Sequence, residues 1–292
     1  MKTVNFVITD LDDTIWDWLE MWYMSFGPFI KRIADETKID SKVLKADFKK
    51  LHQKYGTTEM SFAYKEISSI SPTFYPLFEN EVVAGKNILH EYNSNKKKNL
   101  KAYDGVIETL NLIKSKGVKI IAFTESNVFF TKYRIKHLGL DGIIDTIYSP
   151  AGYDVPKSVY KHYNEDFWEP KITKIRTLPK ETRKPNAEIL ETIVKDFGAE
   201  KDSSIYIGDK LDRDIFMAQQ AGLTSVHAAY GHIIDGEKYS LLVDVTHWTD
   251  EDVVRERNFK NQELDIKAPD FTISSFPQIM NLFNFTKFRK ND

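Results

Sequence analysis

The residue types best suited to chemistry begin at Asp10, directly after a short apolar run that starts at Val4. Asp10, Asp12 and Asp13 place three carboxyl groups within four residues. At the carboxyl end of a strand, such groups repel one another unless a cation or hydrogen bonds offset their charge. This segment therefore predicts a site for a hard divalent cation, or, as the simpler alternative, an acidic turn that caps a helix.

Three later segments supply groups that would complete a cation site. Thr124 follows a second apolar run and offers an anion its hydroxyl and the neighbouring backbone N–H groups. Lys184 precedes Pro185, which favours an extended backbone before it and a helix start after it. Asp209 and Asp214 follow a further apolar run. Carboxylate, hydroxyl and ammonium groups together can hold Mg²⁺ and a phosphoryl group.

The hydrophobic pattern predicts the elements that position these residues. Short apolar runs, typical of buried parallel strands, lie at residues 4–9, 118–123, 143–149, 204–208 and 223–228. Between them, helical patterns that end at a glycine lie at residues 104–116, 127–138, 186–197 and 212–221. This alternation predicts an α/β fold, a parallel sheet with helices on both faces.

A long helical stretch, residues 15–103, predicts a smaller second domain. Its apolar residues recur at spacings of three and four, on one helix or on two helices that meet at Gly27 and Pro28. Because the chain leaves the sheet after the first strand to form this stretch and returns to the sheet before the second strand, we expect the stretch to lie over the carboxyl ends of the strands. The core domain would comprise residues 1–14 and 104–292, with insertions at about 150–185 and 230–267.

Composition and charge exclude several classes of protein. The 292 residues contain 41 Lys and Arg against 43 Asp and Glu, a net charge of −2, so a nucleic-acid partner is not expected. The absence of cysteine excludes disulfides and thiolate metal sites. The sequence shows no secretory signal and no apolar run long enough to span a membrane, so we expect a cytoplasmic protein without a membrane partner. The oligomeric state is left open.

With its four motifs in this order, the chain resembles the haloacid dehalogenase-like (HAD) superfamily of phosphohydrolases. The motifs are the segment Asp10–Thr14, then Thr124, then Lys184, and finally Gly208–Asp209 with Asp214. The resemblance spans about residues 4–229. It implies a Rossmann-like α/β core, with residues 15–103 as the helical cap that the family's phosphatase branch inserts between the first and second motifs.

The resemblance also implies which residues perform the chemistry. Asp10 would attack phosphorus and become an aspartyl phosphate. Asp12 would act as general acid and then as general base. Lys184 would hold the phosphoryl oxygens and offset the acidic groups.

The same resemblance implies the binding residues. Mg²⁺ would be held by the carboxylates of Asp10 and Asp209 and by the backbone carbonyl of Asp12, with Asp214 in the outer shell. The phosphoryl group would contact Thr124, the backbone amide of Glu125 and Lys184. Glu125 stands where the family commonly has Asn, which leaves the local charge on the substrate side open.

The expected function is that of a Mg²⁺-dependent phosphatase of a small phosphorylated metabolite. Asp12 argues against a dehalogenase, because a halide leaves without a proton. Two alternatives remain: a phosphomutase of sugar phosphates, and a catalytically dormant HAD-like module that binds another protein. Trp16 and Trp18 could face the substrate pocket, although packing between cap and core is the favoured reason for them.

Overall fold

The computed structural model describes residues 1–60, 62–79, 87–152, 164–231, 236–249, 254 and 267–290. The chain forms two units. The first comprises Met1–Asp17, Lys101–Ile233 and Leu264–Asp292, and the second comprises Trp18–Leu100 and Ile234–Glu263. Of the two predicted insertions, residues 153–163, 232–235, 250–253 and 255–266 lie outside the described residues.

Parallel strands form the sheet of the first unit. They are β2 (Phe6–Thr9), β3 (Lys119–Phe123), β4 (Thr146–Pro150), β5 (Lys174–Leu178), β6 (Ser204–Gly208), β7 (Thr224–Ala228) and β8 (Phe271–Ile273). Among the described residues these seven strands follow the order β5-β4-β3-β2-β6-β7-β8, and every pair is parallel. A separate parallel pair joins β1 (Lys2–Val4) to β9 (Phe283–Phe285).

The helices of the first unit lie between these strands in the chain. They are α5 (Val106–Ser115), α6 (Val128–His137), α7 (Ala187–Phe197) and α8 (Phe216–Gln220). A π-helical turn at Leu211–Ile215 leads into α8, and short 3₁₀ turns lie at Glu165–Trp168, Lys201–Ser203 and Phe276–Asn281. The four glycines predicted to end helices all have positive φ, as the left-handed position after a helix requires: Gly117, Gly139, Gly198 and Gly222.

The predicted α/β fold is confirmed, because all five predicted strands pair in one parallel sheet. Phe6, Ile8 and Tyr206 belong to a buried cluster with apolar residues of α7 and α8. Val7 and Ile205, which point to the opposite face of the sheet, are also fully buried. Both faces are therefore covered, which explains the continuous apolar runs of the central strands.

The strand β5 was not predicted. It lies within the insertion predicted at about residues 150–185, at the edge of the sheet, and among the described residues it pairs with β4 alone. Lys174, Arg176 and Thr177 are exposed, so this strand lacks the apolar run that marks the central strands. A polar edge strand gives a weak signal in sequence because only part of its surface enters the core.

Helices make up the second unit in its described part. They are α1 (Trp18–Thr37), α2 (Ser41–Tyr55), α3 (Tyr75–Glu79), α4 (Ile88–Asn99) and α9 (Gly236–Val245), with 3₁₀ turns at Ala63–Lys65 and Pro72–Phe74. The helix α1 continues through Pro28, so the predicted stripe lies on one helix. None of the helices in the described parts of the chain is both long and apolar enough to cross a membrane.

Two buried polar groups tie the helices of the second unit together. His52 Nδ1 lies 2.5 Å from the carbonyl oxygen of Val245, which joins α2 to α9. Burial lowers the pKa of His52 to about 4, so the ring is neutral at pH 7. A second buried contact joins α4 to the segment after α2: Lys96 Nζ donates to Glu59 Oε1 at 3.2 Å, and both side chains are less than a tenth exposed.

The carboxylate of Asp145 makes a testable contribution to stability. It accepts from Lys114 Nζ at 2.6 Å, Lys119 Nζ at 2.8 Å and the N–H of Ile120 at 2.9 Å. Burial alone would raise its pKa, but these donors lower it below the usual value. The stabilisation is therefore complete above the unfolded-state pKa near 4 and is lost as the pH falls through the lower folded-state value. We expect Asp145→Ala to cost about 1.5–3 kcal/mol at pH 7.

Chemical denaturation of the wild type and Asp145→Ala between pH 2 and pH 7 tests this expectation. Glu191→Ala is the matched control, because Glu191 is half exposed in its pair with Lys201 and an exposed pair contributes about 0–1 kcal/mol. Equal losses for the two variants at pH 7, or a difference that persists at the lowest pH, would contradict the assignment.

Candidate active site

The predicted motifs lie at the carboxyl ends of neighbouring strands in the middle of the sheet. Asp10 follows β2, Thr124 follows β3 and Asp209 follows β6. Because β2 lies between β3 and β6 and the three are parallel, their carboxyl ends are adjacent. The N–H of Asp10 also donates to the carbonyl of Ile207 at 2.8 Å, which extends the pairing of β2 and β6 into the site.

Three buried carboxyl groups and one buried ammonium group form the centre of the site. Carboxylate oxygens of Asp10, Asp209 and Asp214 lie within 4.8 Å of one another. Lys184 Nζ hydrogen-bonds to Asp10 Oδ1 and donates to Asp214 Oδ1 at 2.8 Å. The Lys184 side chain is 3% exposed, so these interactions are shielded from water. We call these four residues the central cluster.

Burial and mutual repulsion govern the protonation of the central cluster. Burial raises the pKa of Asp10 well above its ordinary value, and the charges of Asp214 and Asp209 raise it further, while Lys184 opposes them. Burial also raises the pKa of Asp209 to about 6, against the opposing charge of Lys210. Burial by itself lowers the pKa of Lys184, but the charges of Asp10 and Asp214 outweigh it and raise the pKa. Lys184 is therefore an ammonium ion, and it is the one ammonium group in a central cluster with three carboxyl groups.

The donors around Asp214 occupy both of its carboxylate oxygens. Oδ1 accepts from Lys184 and, at 2.8 Å, from the hydroxyl of Tyr206 on β6. Oδ2 accepts from the N–H of Lys210 at 3.1 Å. A side chain held this way is suited to orienting Lys184 and the loop after β6, in keeping with the outer-shell position predicted for it.

The remaining carboxylates, Asp10 and Asp209, suit a hard divalent cation. Both are buried, and their oxygens are hard ligands of the type that Mg²⁺ prefers. The raised pKa of each shows that the neighbouring cations, Lys184 and Lys210, do not fully compensate for burial and repulsion. Lys210 Nζ lies 2.9 Å from Asp209 Oδ2, and His227 Nε2 lies 3.1 Å from the Asp209 carbonyl oxygen, so Asp209 is held from two sides.

Asp12 lies outside the central cluster, in a different environment. Its Oδ1 accepts from the indole Nε1 of Trp16 at 2.6 Å and lies 3.3 Å from Arg134 Nη1. Its Oδ2 accepts from the hydroxyl of Ser126 at 2.5 Å. Its side chain is 21% exposed, whereas the carboxyl groups of the central cluster are almost inaccessible. Asp10 and Asp12, two of the three carboxyl groups of the first motif, are therefore suited to different tasks.

Thr124 and Glu125 lie in the loop after β3. The hydroxyl oxygen of Thr124 accepts from the N–H of Ser126 at 3.0 Å, so that N–H is turned toward a protein acceptor. The Glu125 carboxylate accepts from the N–H of Lys184 at 3.1 Å and from Arg213 Nη1 at 3.2 Å. Glu125 thus joins three loops of the site, and Arg213 offsets the charge that the sequence left open.

Two glycines allow the loops to approach closely. A Cβ atom added to Gly208 would lie 2.4 Å from the side chain of Asp214. A Cβ atom added to Gly231 would lie 1.6 Å from the carbonyl oxygen of Asp13 and 3.0 Å from Asp209 Cβ. Real Cβ atoms do not approach other atoms so closely, so each position requires glycine.

Several residues of the site were not predicted. They are Ser126, Arg134, Tyr206, Lys210, Arg213, His227 and Gly231, and Trp16 was expected to pack rather than to donate to Asp12. One signal was available for Arg134: it follows Phe130 by four residues, on the apolar side of α6, where a charged residue needs a partner. The others depend on contacts between segments far apart in the chain.

Comparison with known families identifies the class of protein. Residues 4–222 match the haloacid dehalogenase-like hydrolase family, so the chain belongs to it. No curated protein sequence gives a significant match.

Solved structures show the same fold. A HAD phosphatase from Thermococcus onnurineus superposes with a TM-score of 0.57 at 14% identity, over 99% of this chain and 100% of the other. The HAD-type protein YfnB of Bacillus subtilis, bound to magnesium, gives a TM-score of 0.50 at 15% identity, over 96% of this chain and 99% of the other. Because the sequence identity is so low, these similarities show the fold of the chain, which is the Rossmann-like HAD fold, and nothing more.

The central cluster predicts that Mg²⁺ stabilises the protein. A cation that binds only the folded state adds about 2.7 kcal/mol to the free energy of unfolding when its concentration is one hundred times its dissociation constant. We expect added Mg²⁺ to raise the melting temperature of the wild type, and Asp209→Asn to lose most of this rise because a ligand is replaced by a neutral amide. Differential scanning calorimetry with Mg²⁺ and with chelator measures both.

Asp141→Asn is the control for this experiment. Asp141 accepts from backbone N–H groups of residues 171–173 and takes no part in the central cluster. The Asp141→Asn variant should retain the Mg²⁺-dependent rise in melting temperature, whatever its stability without Mg²⁺. A rise of equal size in Asp209→Asn would exclude the central cluster as the cation site.

Proposed function

We propose that this chain is a Mg²⁺-dependent phosphatase that hydrolyses a small phosphorylated metabolite through an aspartyl phosphate on Asp10. The observation that carries this proposal is the central cluster, in which a buried Asp10 is hydrogen-bonded to the ammonium group of Lys184 beside the carboxyl group of Asp209. Membership of the HAD hydrolase family supports it.

Asp10 would be the nucleophile, since it lies at the end of the central strand β2 and its orientation is held by Lys184. One of its carboxylate oxygens attacks phosphorus and displaces the alcohol of the ester. The phosphoryl oxygens would be held by Lys184 Nζ, the hydroxyl of Thr124 and the amide of Glu125. The Thr124 oxygen already accepts from Ser126, which leaves the hydroxyl proton for an anionic ligand.

Mg²⁺ would be held by the carboxylates of Asp10 and Asp209 and by the backbone carbonyl of Asp12. When bound, the ion supplies positive charge that lets an anionic carboxylate approach an anionic phosphate. Asp214 would act through Lys184, because its own oxygens are occupied by Lys184, Tyr206 and Lys210.

Asp12 would transfer the protons. It gives a proton to the ester oxygen as the bond from that oxygen to phosphorus breaks, and it then takes a proton from the water that hydrolyses the aspartyl phosphate. The second step releases inorganic phosphate and regenerates Asp10. A carboxyl group in this position favours phosphate esters over carbon–halogen bonds, because a halide needs no proton.

We also propose that residues 15–103 act as a cap that limits the substrate to small molecules. The support is their place in the chain, directly after the nucleophile loop, and the helices that Trp18–Leu100 contributes to the second unit, which also includes Ile234–Glu263. Exclusion of bulk water would strengthen the electrostatic interactions with the phosphoryl group.

Release of inorganic phosphate from a panel of phosphorylated metabolites tests the proposed function. We expect release by the wild type with Mg²⁺, none with chelator, and none from Asp10→Asn, whose neutral amide cannot attack phosphorus. Asp10→Asn should still fold, because Lys184 keeps its bond to Asp214; far-ultraviolet circular dichroism and thermal unfolding check this.

The same panel separates the alternatives. An isomerised sugar phosphate in place of free phosphate would establish the phosphomutase. Turnover by Asp10→Asn at the rate of the wild type would exclude Asp10 as the nucleophile. Absence of any turnover by folded wild type with Mg²⁺ would leave the dormant binding module.

A further inference from the structure

Two hydrogen-bond donors and one guanidinium group converge on the carboxylate of Asp12. Trp16 Nε1 lies 2.6 Å from Oδ1, Arg134 Nη1 lies 3.3 Å from the same oxygen, and Ser126 Oγ lies 2.5 Å from Oδ2. Arg134 also donates to Ser126 Oγ at 2.9 Å, so the donors contact one another as well as Asp12. We call Trp16, Ser126 and Arg134 the Asp12 clamp.

The two oxygens of Asp12 face chemically different partners. Neither the indole N–H of Trp16 nor the guanidinium group of Arg134 can accept a hydrogen bond, so a proton on Oδ1 would find no acceptor in either of them. A hydroxyl group donates or accepts according to its rotation, so Ser126 is compatible with Oδ2 whether or not that oxygen carries a proton. The clamp therefore accommodates a proton on Oδ2 but not on Oδ1.

The burial of Arg134 adds weight to this arrangement. Its side chain is 1% exposed, on a helix face shared with Phe130 and Ile135. A guanidinium group so placed requires a charged or polar partner, and Asp12 lies 3.3 Å away across the loop. An apolar side chain would pack on this face without that requirement, so the arginine indicates a task at Asp12.

We propose that Arg134 is a positioning residue for Asp12: together with Trp16 it holds Oδ1 as a constant acceptor, so that Oδ2 is the oxygen that exchanges the proton. In the first step the proton leaves Oδ2 for the ester oxygen while the bond from that oxygen to phosphorus breaks and the bond from Asp10 to phosphorus forms. In the second step Oδ2 takes the proton from the attacking water. This inference rests on the proposed function, since it requires Asp12 to act as acid and base.

The dependence of the rate on the leaving group tests this role. An ester with a strongly basic leaving oxygen needs the proton from Asp12, whereas 4-nitrophenolate leaves with little help. A series of para-substituted phenyl phosphates, from methoxy to nitro, varies this need at nearly constant size. The value of kcat/KM is the readout because it reports the step in which the ester bond breaks, and it is measured with saturating Mg²⁺.

We expect Arg134→Met to lose about 10- to 100-fold in kcat/KM for the most basic leaving groups, a part of the 10²–10⁴-fold that general acids contribute. For 4-nitrophenyl phosphate it should approach the wild type. Trp16→Phe removes the indole N–H that donates to Oδ1 and should show the same trend. If Arg134→Met does not fold, Trp16→Phe tests whether the clamp positions Asp12. Asp12→Asn shows the full effect of losing the acid.

Ile135→Val is the control for a general weakening of α6. Ile135 is the neighbour of Arg134 and is fully buried, and it lies outside the clamp and the central cluster. Any change in its rates should be the same for every leaving group.

The outcomes separate the inference from the proposed function. If Asp12→Asn shows no dependence on the leaving group, the proposed role of Asp12 fails. If Asp12→Asn shows the dependence while the clamp variants lose activity uniformly or not at all, the role of Arg134 is overturned and that of Asp12 stands.

Discussion

The ion pair that Lys184 makes with Asp10 and Asp214 is the interaction on which the site depends. Removal of one ammonium and several carboxylates from water is costly, and the contacts of Lys184 with Asp10 and Asp214 offset part of this cost. Three consequences follow for the fold. β2 and β6 must be neighbours, the segment before α7 must return to their carboxyl ends, and Gly208 must lack a side chain so that Asp214 reaches the lysine. The arrangement of the sheet thus brings Lys184 into contact with Asp10 and Asp214.

The contrast between Asp10 and Asp12 shows that two carboxyl groups two residues apart can lie in different environments. Asp10 is buried beside an ammonium group and two further carboxyl groups, and the burial raises its pKa. Asp12 is partly solvated and faces neutral donors and one guanidinium group. In the first environment three carboxyl groups surround one ammonium group, whereas in the second each oxygen of Asp12 accepts from its own donor. Side chains two residues apart in a strand would share one face, so this separation depends on the irregular turn that follows β2.

The sequence was informative wherever local patterns determine structure. Apolar runs located the five central strands, because these strands are buried on both faces, and glycines with positive φ marked the helix ends. The edge strand β5 was missed because its exposed residues give no apolar run. In the site, the motif residues could be named from their order along the chain, but the partners could not. Tyr206, Arg213 and Arg134 act through contacts with residues in other segments, so their roles exist only after the sheet has formed.

Glu125 shows how such contacts change the meaning of a sequence departure. In the position after Thr124, a carboxylate near an anionic substrate would be unfavourable if it pointed toward that substrate. The structure turns it away: it accepts from the N–H of Lys184 and from Arg213. An asparagine could accept the first of these bonds but could not offset the charge of Arg213. Glutamate at this position is therefore matched to Arg213 in the π-helical turn after β6, and the loops of the site are joined by charge as well as by packing.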